Sequence, residues 1–331
     1  MAPIINNISP NQGPAAGGTA VTLTGSGFTN ASAVKFGTTA AQFATVSDTK
    51  ISCTAPPGSG AVAVTVTTSS GTSNSVTYTY QATPVISSLT PNQGATAGGN
   101  TVTLNGTNLS GATAVTFGTL NATITGNTST QVTVVAPAGG AAPVNVSVTT
   151  AGGTSTSLPY YYVPLPTANS VDPDLGPTAG HNTVTIAGSN LTLTNAVRFG
   201  SVAATGVVVI SDGQITAQPP SGTGTVGVTV TTPGGTSLPG IDNPTYTYVG
   251  PPVINTLSPS QGPAAGGNSI TVSGVNLTYT DSVTVGGTSA SFVTVSDSQV
   301  VVTAPAGSGT RAVVVRGPGG TSNSASYQYT S

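Results

Sequence analysis

The chain has 331 residues, and only 4% of them are charged: five Lys or Arg, seven Asp and no Glu, for a net charge of −2. Ordinary domains carry about 25%, and a surface this poor in cations lacks the field that nucleic-acid binding needs. With 37% hydrophobic residues and little net charge, the chain also lacks the signature of disorder.

The sequence repeats itself four times. Pro10-Asn11-Gln12-Gly13 returns as Pro91–Gly94, as Pro173-Asp174-Leu175-Gly176 and as Pro259-Ser260-Gln261-Gly262, in steps of 81, 82 and 86 residues. A period this long is a whole small domain rather than a solenoid unit. The expected domains are 1–81, 82–163, 164–249 and 250–331. Many Gly, Pro, Thr and Ser, alternating Val and no sustained helical period predict an all-β chain.

In chain order, the first repeat opens on Pro3–Pro10, an extended segment with proline near both ends that suits a sheet edge. Gly13–Gly18 reads as a tight reversal. Ala20–Gly25 then alternates with period 2, as a half-buried strand does. Next comes Val34-Lys35-Phe36-Gly37, with counterparts at Val115–Gly118, Val197–Gly200 and Val283–Gly286. The middle residue is Lys35, Thr116, Arg198 or Thr284. A position that accepts these faces water, so its large apolar neighbours face the core. The same logic turns Val62, Val64 and Val66 inward, with Arg311 breaking the row in the fourth repeat by reaching to solvent. Each repeat then turns at Gly-Thr-Ser and closes on tyrosines: Tyr78 and Tyr80, Tyr160 to Tyr162, Tyr246 and Tyr248, Tyr327 and Tyr329. Their hydroxyls are expected to find partners at the surface.

About seven short strands in some 80 residues match an immunoglobulin-like sandwich, so the expected fold is four such domains in tandem. In the first repeat, Ile5–Gly13, Ala16–Gly18, Val21–Gly25, Val34–Gly37 and Ala55-Pro56 follow one another in an order that resembles the IPT/TIG family of immunoglobulin-like domains. The match recurs in all four repeats. Members of that family occur in DNA-gripping transcription factors, in signalling receptors, as spacers in starch-active enzymes, and as tandem structural arrays of bacteria and phages. Five cations over four domains do not resemble the first setting, and no cysteine-rich module or catalytic domain accompanies the repeats. The resemblance therefore implies a tandem structural array.

Chemistry is sparse. His181 is the lone histidine and Cys53 the lone cysteine, in different repeats. No triad, zinc set or disulfide framework follows from them, and Cys53 reads as a small buried apolar residue. Asp48, Asp212 and Asp297 recur in equivalent turns and read as scaffold. Asp172 and Asp174 flank Pro173 and are the one local pair of carboxylates that could enter a calcium site at a domain junction; turn capping is the simpler reading. Neither catalytic residues, cofactor nor metal are expected. The residues that differ between copies mark a possible contact surface: Leu238, Pro239, Ile241 and Asp242 in a hairpin lengthened only in the third repeat, and Arg311 and Arg316 in the fourth.

The expected function is a non-catalytic structural protein. It assembles with copies of itself, or decorates a host particle, as an extracellular filament, surface fibre or virion appendage. The alternative is a carbohydrate- or surface-binding adhesin with glycan partners, against which the absence of Trp counts. No membrane insertion is expected, because no run of about 20 apolar residues occurs. Residues 1–7 do not read as a signal peptide, so the chain is expected either to be a mature or trimmed form or to leave the cell by lysis or a dedicated export route. Short proline-bearing linkers are expected to limit bending between neighbours.

Overall fold

The structure, a computed structural model, describes residues 1–238 and 244–331. It is all-β, and its strands form eight sheets in four tandem immunoglobulin-like sandwiches. The chain divides into two compact units, Met1–Val163 and Pro164–Ser331, each holding two sandwiches.

Ten strands build the first sandwich: β1 Ile4–Ser9, β2 Gln12–Pro14, β3 Ala20–Ser26, β4 Ala33–Phe36, β5 Thr39–Ala40, β6 Gln42–Ser47, β7 Lys50–Thr54, β8 Gly60–Thr68, β9 Gly71–Thr72 and β10 Val76–Gln81. One sheet runs β1-β3-β7-β6. The other runs β2-β10-β8-β4-β5, with β9 paired to β8, and all four copies repeat this order. The sequence predicted about seven strands. The surplus consists of two- and three-residue pieces such as β2, β5 and β9, too short to show a period. The opening segment is the expected sheet edge, but it splits. β1 pairs with β3 in one sheet, whereas β2 pairs in parallel with β10 in the other. The Ser9–Pro10 bond between them is cis, as are Thr90–Pro91, Asp172–Pro173 and Ser258–Pro259.

The predicted inward rows line the core. Val34, Phe36, Val64 and Val66 are buried, while Lys35 between the first two is exposed and Val62 is half-buried. Cys53 lies among them on β7, opposite Val21 and Phe43, and burial pushes its thiol up to about 11. Its counterparts Val134, Ala217 and Val302 are apolar, which confirms the small-apolar reading.

Two tyrosines per copy anchor the last strand. Tyr78, Tyr160, Tyr246 and Tyr327 are wholly buried, and Tyr80, Tyr162, Tyr248 and Tyr329 nearly so. The rings within each pair meet edge to face at 5.0–5.1 Å, a geometry worth about 0.5–1.5 kcal/mol beyond burial. Phe36, Phe117 and Phe199 add a second edge contact to the first ring of the pair. The hydroxyls are not at the surface, contrary to expectation. Tyr80, Tyr162 and Tyr329 donate to the carbonyls of Pro56, Pro137 and Pro305 at 2.6–2.7 Å. Tyr160 and Tyr246 donate to Asn100 and Asn182 Oδ1, and Tyr327 accepts from Asn268 Nδ2. Thr19 stands in the first copy where the others have Asn, and the Tyr78 hydroxyl lacks a partner.

This arrangement explains the repeated Pro-x-x-Gly. A Cβ on Gly13, Gly94, Gly176 or Gly262 would overlap the hydroxyl of Tyr78, Tyr160, Tyr246 or Tyr327. Glycine is required there by close approach rather than by backbone angle. Replacing Gly94 with Ala is therefore expected to destabilise its sandwich by about 1–3 kcal/mol. Gly126→Ala, whose Cβ would meet Thr133 at an ordinary 3.7 Å, is expected to stay within about 0.5 kcal/mol of wild type. Chemical denaturation of the two variants checks this.

Asp48, Asp212 and Asp297 hold the turn after β3 and its counterparts. Asp48 accepts from Gly27 N, Thr29 N and the Thr29 hydroxyl. Asp212 accepts from Asn190 N and the Thr192 hydroxyl, and Asp297 from Asn276 N and the Thr278 hydroxyl. The second copy has Ser129 at this position, and its main-chain carbonyl alone accepts from Leu109 N. In each case the threonine hydroxyl bond, joined by main-chain N–H donors, holds the carboxyl below its ordinary value. A depressed folded-state value stabilises above the unfolded value of 3.8 and is lost as pH falls through the folded one. Thermal stability is therefore expected to drop below about pH 4, and the triple variant Asp48→Asn, Asp212→Asn, Asp297→Asn to flatten that acid limb. Melting curves at stepped pH read both.

Candidate functional site

The structure does not gather the residues singled out in the sequence into one site. Leu238 is 73% exposed, whereas Pro239, Ile241 and Asp242 lie outside the described residues. Arg311 and Arg316 share the strand Thr310–Gly317. They are five residues apart, so strand alternation places them on opposite faces. The Arg311 Nε donates to the Ser308 carbonyl at 3.0 Å, and its stem covers Gly286. Arg311 thus reaches outward from the end of the inward row, as its sequence context indicates. The pair does not form a cationic patch.

His181 is exposed and adopts φ 66° where the other copies have Gly18, Gly99 and Gly267 at 83–85°. Its Nδ1–H donates to the Ala179 carbonyl at 2.7 Å, a local turn contact. Asp172 ends a strand before the cis bond, and the Asp174 main-chain carbonyl accepts from Thr247 N. Among the described residues, no three His, Cys, Asp or Glu side chains lie close enough together to share a metal ion. Among the same residues no helix is long and apolar enough to cross a membrane.

What stands out is the far edge of the four-stranded sheets. β6 and its counterparts Thr123–Asn127, Thr205–Ser211 and Phe292–Ser296 each pair on one side only. Not one of these strands carries a charged residue, although edge strands are usually blunted by charge. In the third copy Val208 is 53% and Ile210 57% exposed, and in the fourth Val293 is 66% and Val295 57% exposed. The first copy exposes Val46, and the second no large apolar side chain on this strand. Shifts in register interrupt every one of these ladders, twice in the third copy. The sequence signal was available: in Val207-Val208-Val209-Ile210, four successive apolar residues cannot all face one core. Val207 packs inward and its followers do not.

The chain is 29% identical over 289 residues to Fibrocystin-L of Mus musculus, covering 82% of this chain and 7% of that protein. Among solved structures it resembles the full extracellular region of plexin A4 (22% identity, TM-score 0.39), over 96% of this chain and 30% of that one. It also resembles invasin, a bacterial integrin-binding protein (14% identity, TM-score 0.31), over 98% of this chain and 78% of that one. The chain thus spans a small part of Fibrocystin-L and under a third of plexin A4. The IPT/TIG domain matches four times, at residues 3–80, 84–162, 166–248 and 252–330. With four consecutive matches over almost its whole length, the chain belongs to the IPT/TIG domain family.

Proposed function

We propose that the chain is a non-catalytic structural protein that acts outside the cell or on a virion, through the outer surfaces of its sandwiches, by associating with copies of itself or with a larger particle. The observation that carries this reading is the set of uncharged, unpaired strand edges, above all Thr205–Ser211 and Phe292–Ser296 with their exposed Val and Ile. An edge presents a row of free main-chain donors and acceptors, and apolar outward side chains add burial when a second edge meets it. With 4% charged residues, like-charge repulsion between copies is weak. The adhesin reading draws no support from the repeated tyrosines, because eight of the ten are buried in the core; Tyr161 and Tyr279 alone are exposed. The domain boundaries 1–81, 82–163, 164–249 and 250–331 are part of the same reading, each copy serving as one structural module.

Sedimentation velocity over a concentration series tests it. The expected result is a weight-average mass that grows with concentration. The variant Val208→Lys, Ile210→Lys, Val293→Lys, Val295→Lys is expected to weaken association by about tenfold or more, equivalent to about 1.4 kcal/mol. A single species at every concentration contradicts association with copies of itself.

A further inference from the structure

The first compact unit contains a cleft of about 400 Å³ where its two sandwiches meet. That volume lies in the range of small-molecule sites. Gln12 from β2 and Gln81 from β10 form one wall; Asn108, Ser110 and Ser129 of the second sandwich form the other. The linker forms the back. Asn108 Nδ2 donates to the Thr83 carbonyl at 3.1 Å, and Gly152 lies so close to the Ala82 carbonyl that a Cβ would overlap it.

The junction inside the second unit has the same clamp and a different lining. Asn276 Nδ2 donates to the Pro251 carbonyl at 3.0 Å, and a Cβ on Gly319 would overlap the Gly250 carbonyl. By register, Leu175 stands there in place of Gln12, Val249 in place of Gln81, Tyr279 in place of Gly111 and Asp297 in place of Ser129. The clamp is therefore common scaffold, and the two glutamines are particular to the first junction. Gly111 carries no side chain where the other copy has Tyr279, and a Cβ on it would meet nothing within 4 Å.

We propose that this cleft is a binding site for a neutral carbohydrate. Its lining contains amides and hydroxyls, no ionisable side chain and no large apolar one. Gln81 Nε2 donates to Gln12 Oε1 at 3.3 Å. Among the described residues, Gln12 Nε2, Gln81 Oε1, Asn108 Oδ1 and the Ser110 and Ser129 hydroxyls have no protein partner. Side-chain amides offer a donor and an acceptor side by side, which suits the adjacent hydroxyls of a sugar ring. An anionic or cationic ligand finds no counter-charge here and loses hydration on entry, and an apolar ligand finds no apolar wall. Without an aromatic stacking face the affinity is weak, in the millimolar range. Binding is also insensitive to salt and to pH between about 5 and 9, because nothing in the lining titrates there. The site does not depend on self-association, and a monomeric chain binds equally well.

Ligand-observed NMR with the full chain tests the proposal, using neutral gluco-, galacto- and manno-hexasaccharides as probes and a galacturonic acid hexamer as the charged control. At least one neutral probe is expected to bind and the charged hexamer to stay silent. Gln12→Leu with Gln81→Val installs the side chains of the other junction on the same backbone, and is expected to weaken binding about tenfold or more with an unchanged melting temperature. Ser129→Asp, which restores the carboxylate found in the other three copies, is expected to do the same. Silence of every neutral probe at about 10 mM overturns the proposal. So does binding that survives both variants unchanged.

Discussion

The buried tyrosine pair on the last strand of each copy is the contact on which the rest of the sandwich depends. The first ring lies across the Pro-x-x-Gly turn, and its hydroxyl occupies the space that a side chain on that glycine would fill. The second ring reaches the opposite loop and, in three copies, donates to a proline carbonyl there. A Cβ on Gly58, Gly139, Gly222 or Gly307 would run into this second ring. Two tyrosines thus dictate two glycines, a proline-bearing loop and the short parallel strand β2. Phenol burial also sets the alkaline limit. Burial raises Tyr80, Tyr160, Tyr162, Tyr246, Tyr248 and Tyr329, with neighbouring tyrosines adding to the shift in four of them. A raised folded-state value stabilises below the unfolded value of 10.0 and that contribution is lost as pH climbs through the folded one.

Once the core is committed to this shared device, variation is left to the surface. The edge strands differ in how much valine and isoleucine they expose, and the two in-unit junctions differ in whether glutamines or Leu175 and Val249 stand at two matching positions. Such differences decide what an array of similar modules touches.

Much of the fold was legible because repetition supplies its own comparison. Lys35, Thr116, Arg198 and Thr284 at one position identified the solvent face, and the recurrence of Asp48, Asp212 and Asp297 identified a turn device. The unreadable parts are those that depend on contacts distant along the chain. Nothing local in Gly13 reveals that Tyr78 lies over it, and three-residue β2 has no period to betray its pairing with β10. The tyrosine hydroxyls read as surface groups because the carbonyls that receive them, at Pro56, Pro137 and Pro305, carry no side-chain signal. The cleft is assembled from five separate stretches between Gln12 and Gly152. Arg311 and Arg316, which set the fourth copy apart in sequence, fall on opposite faces.

Ultraviolet titration of the tyrosines from neutral to strongly alkaline pH tests the central role of the buried pairs. The account predicts that a large part of the phenolate signal appears only well above the ordinary tyrosine value of 10.0, together with loss of the β circular dichroism. Ionisation of all ten tyrosines in one reversible step at the ordinary value, with the fold intact, would contradict it.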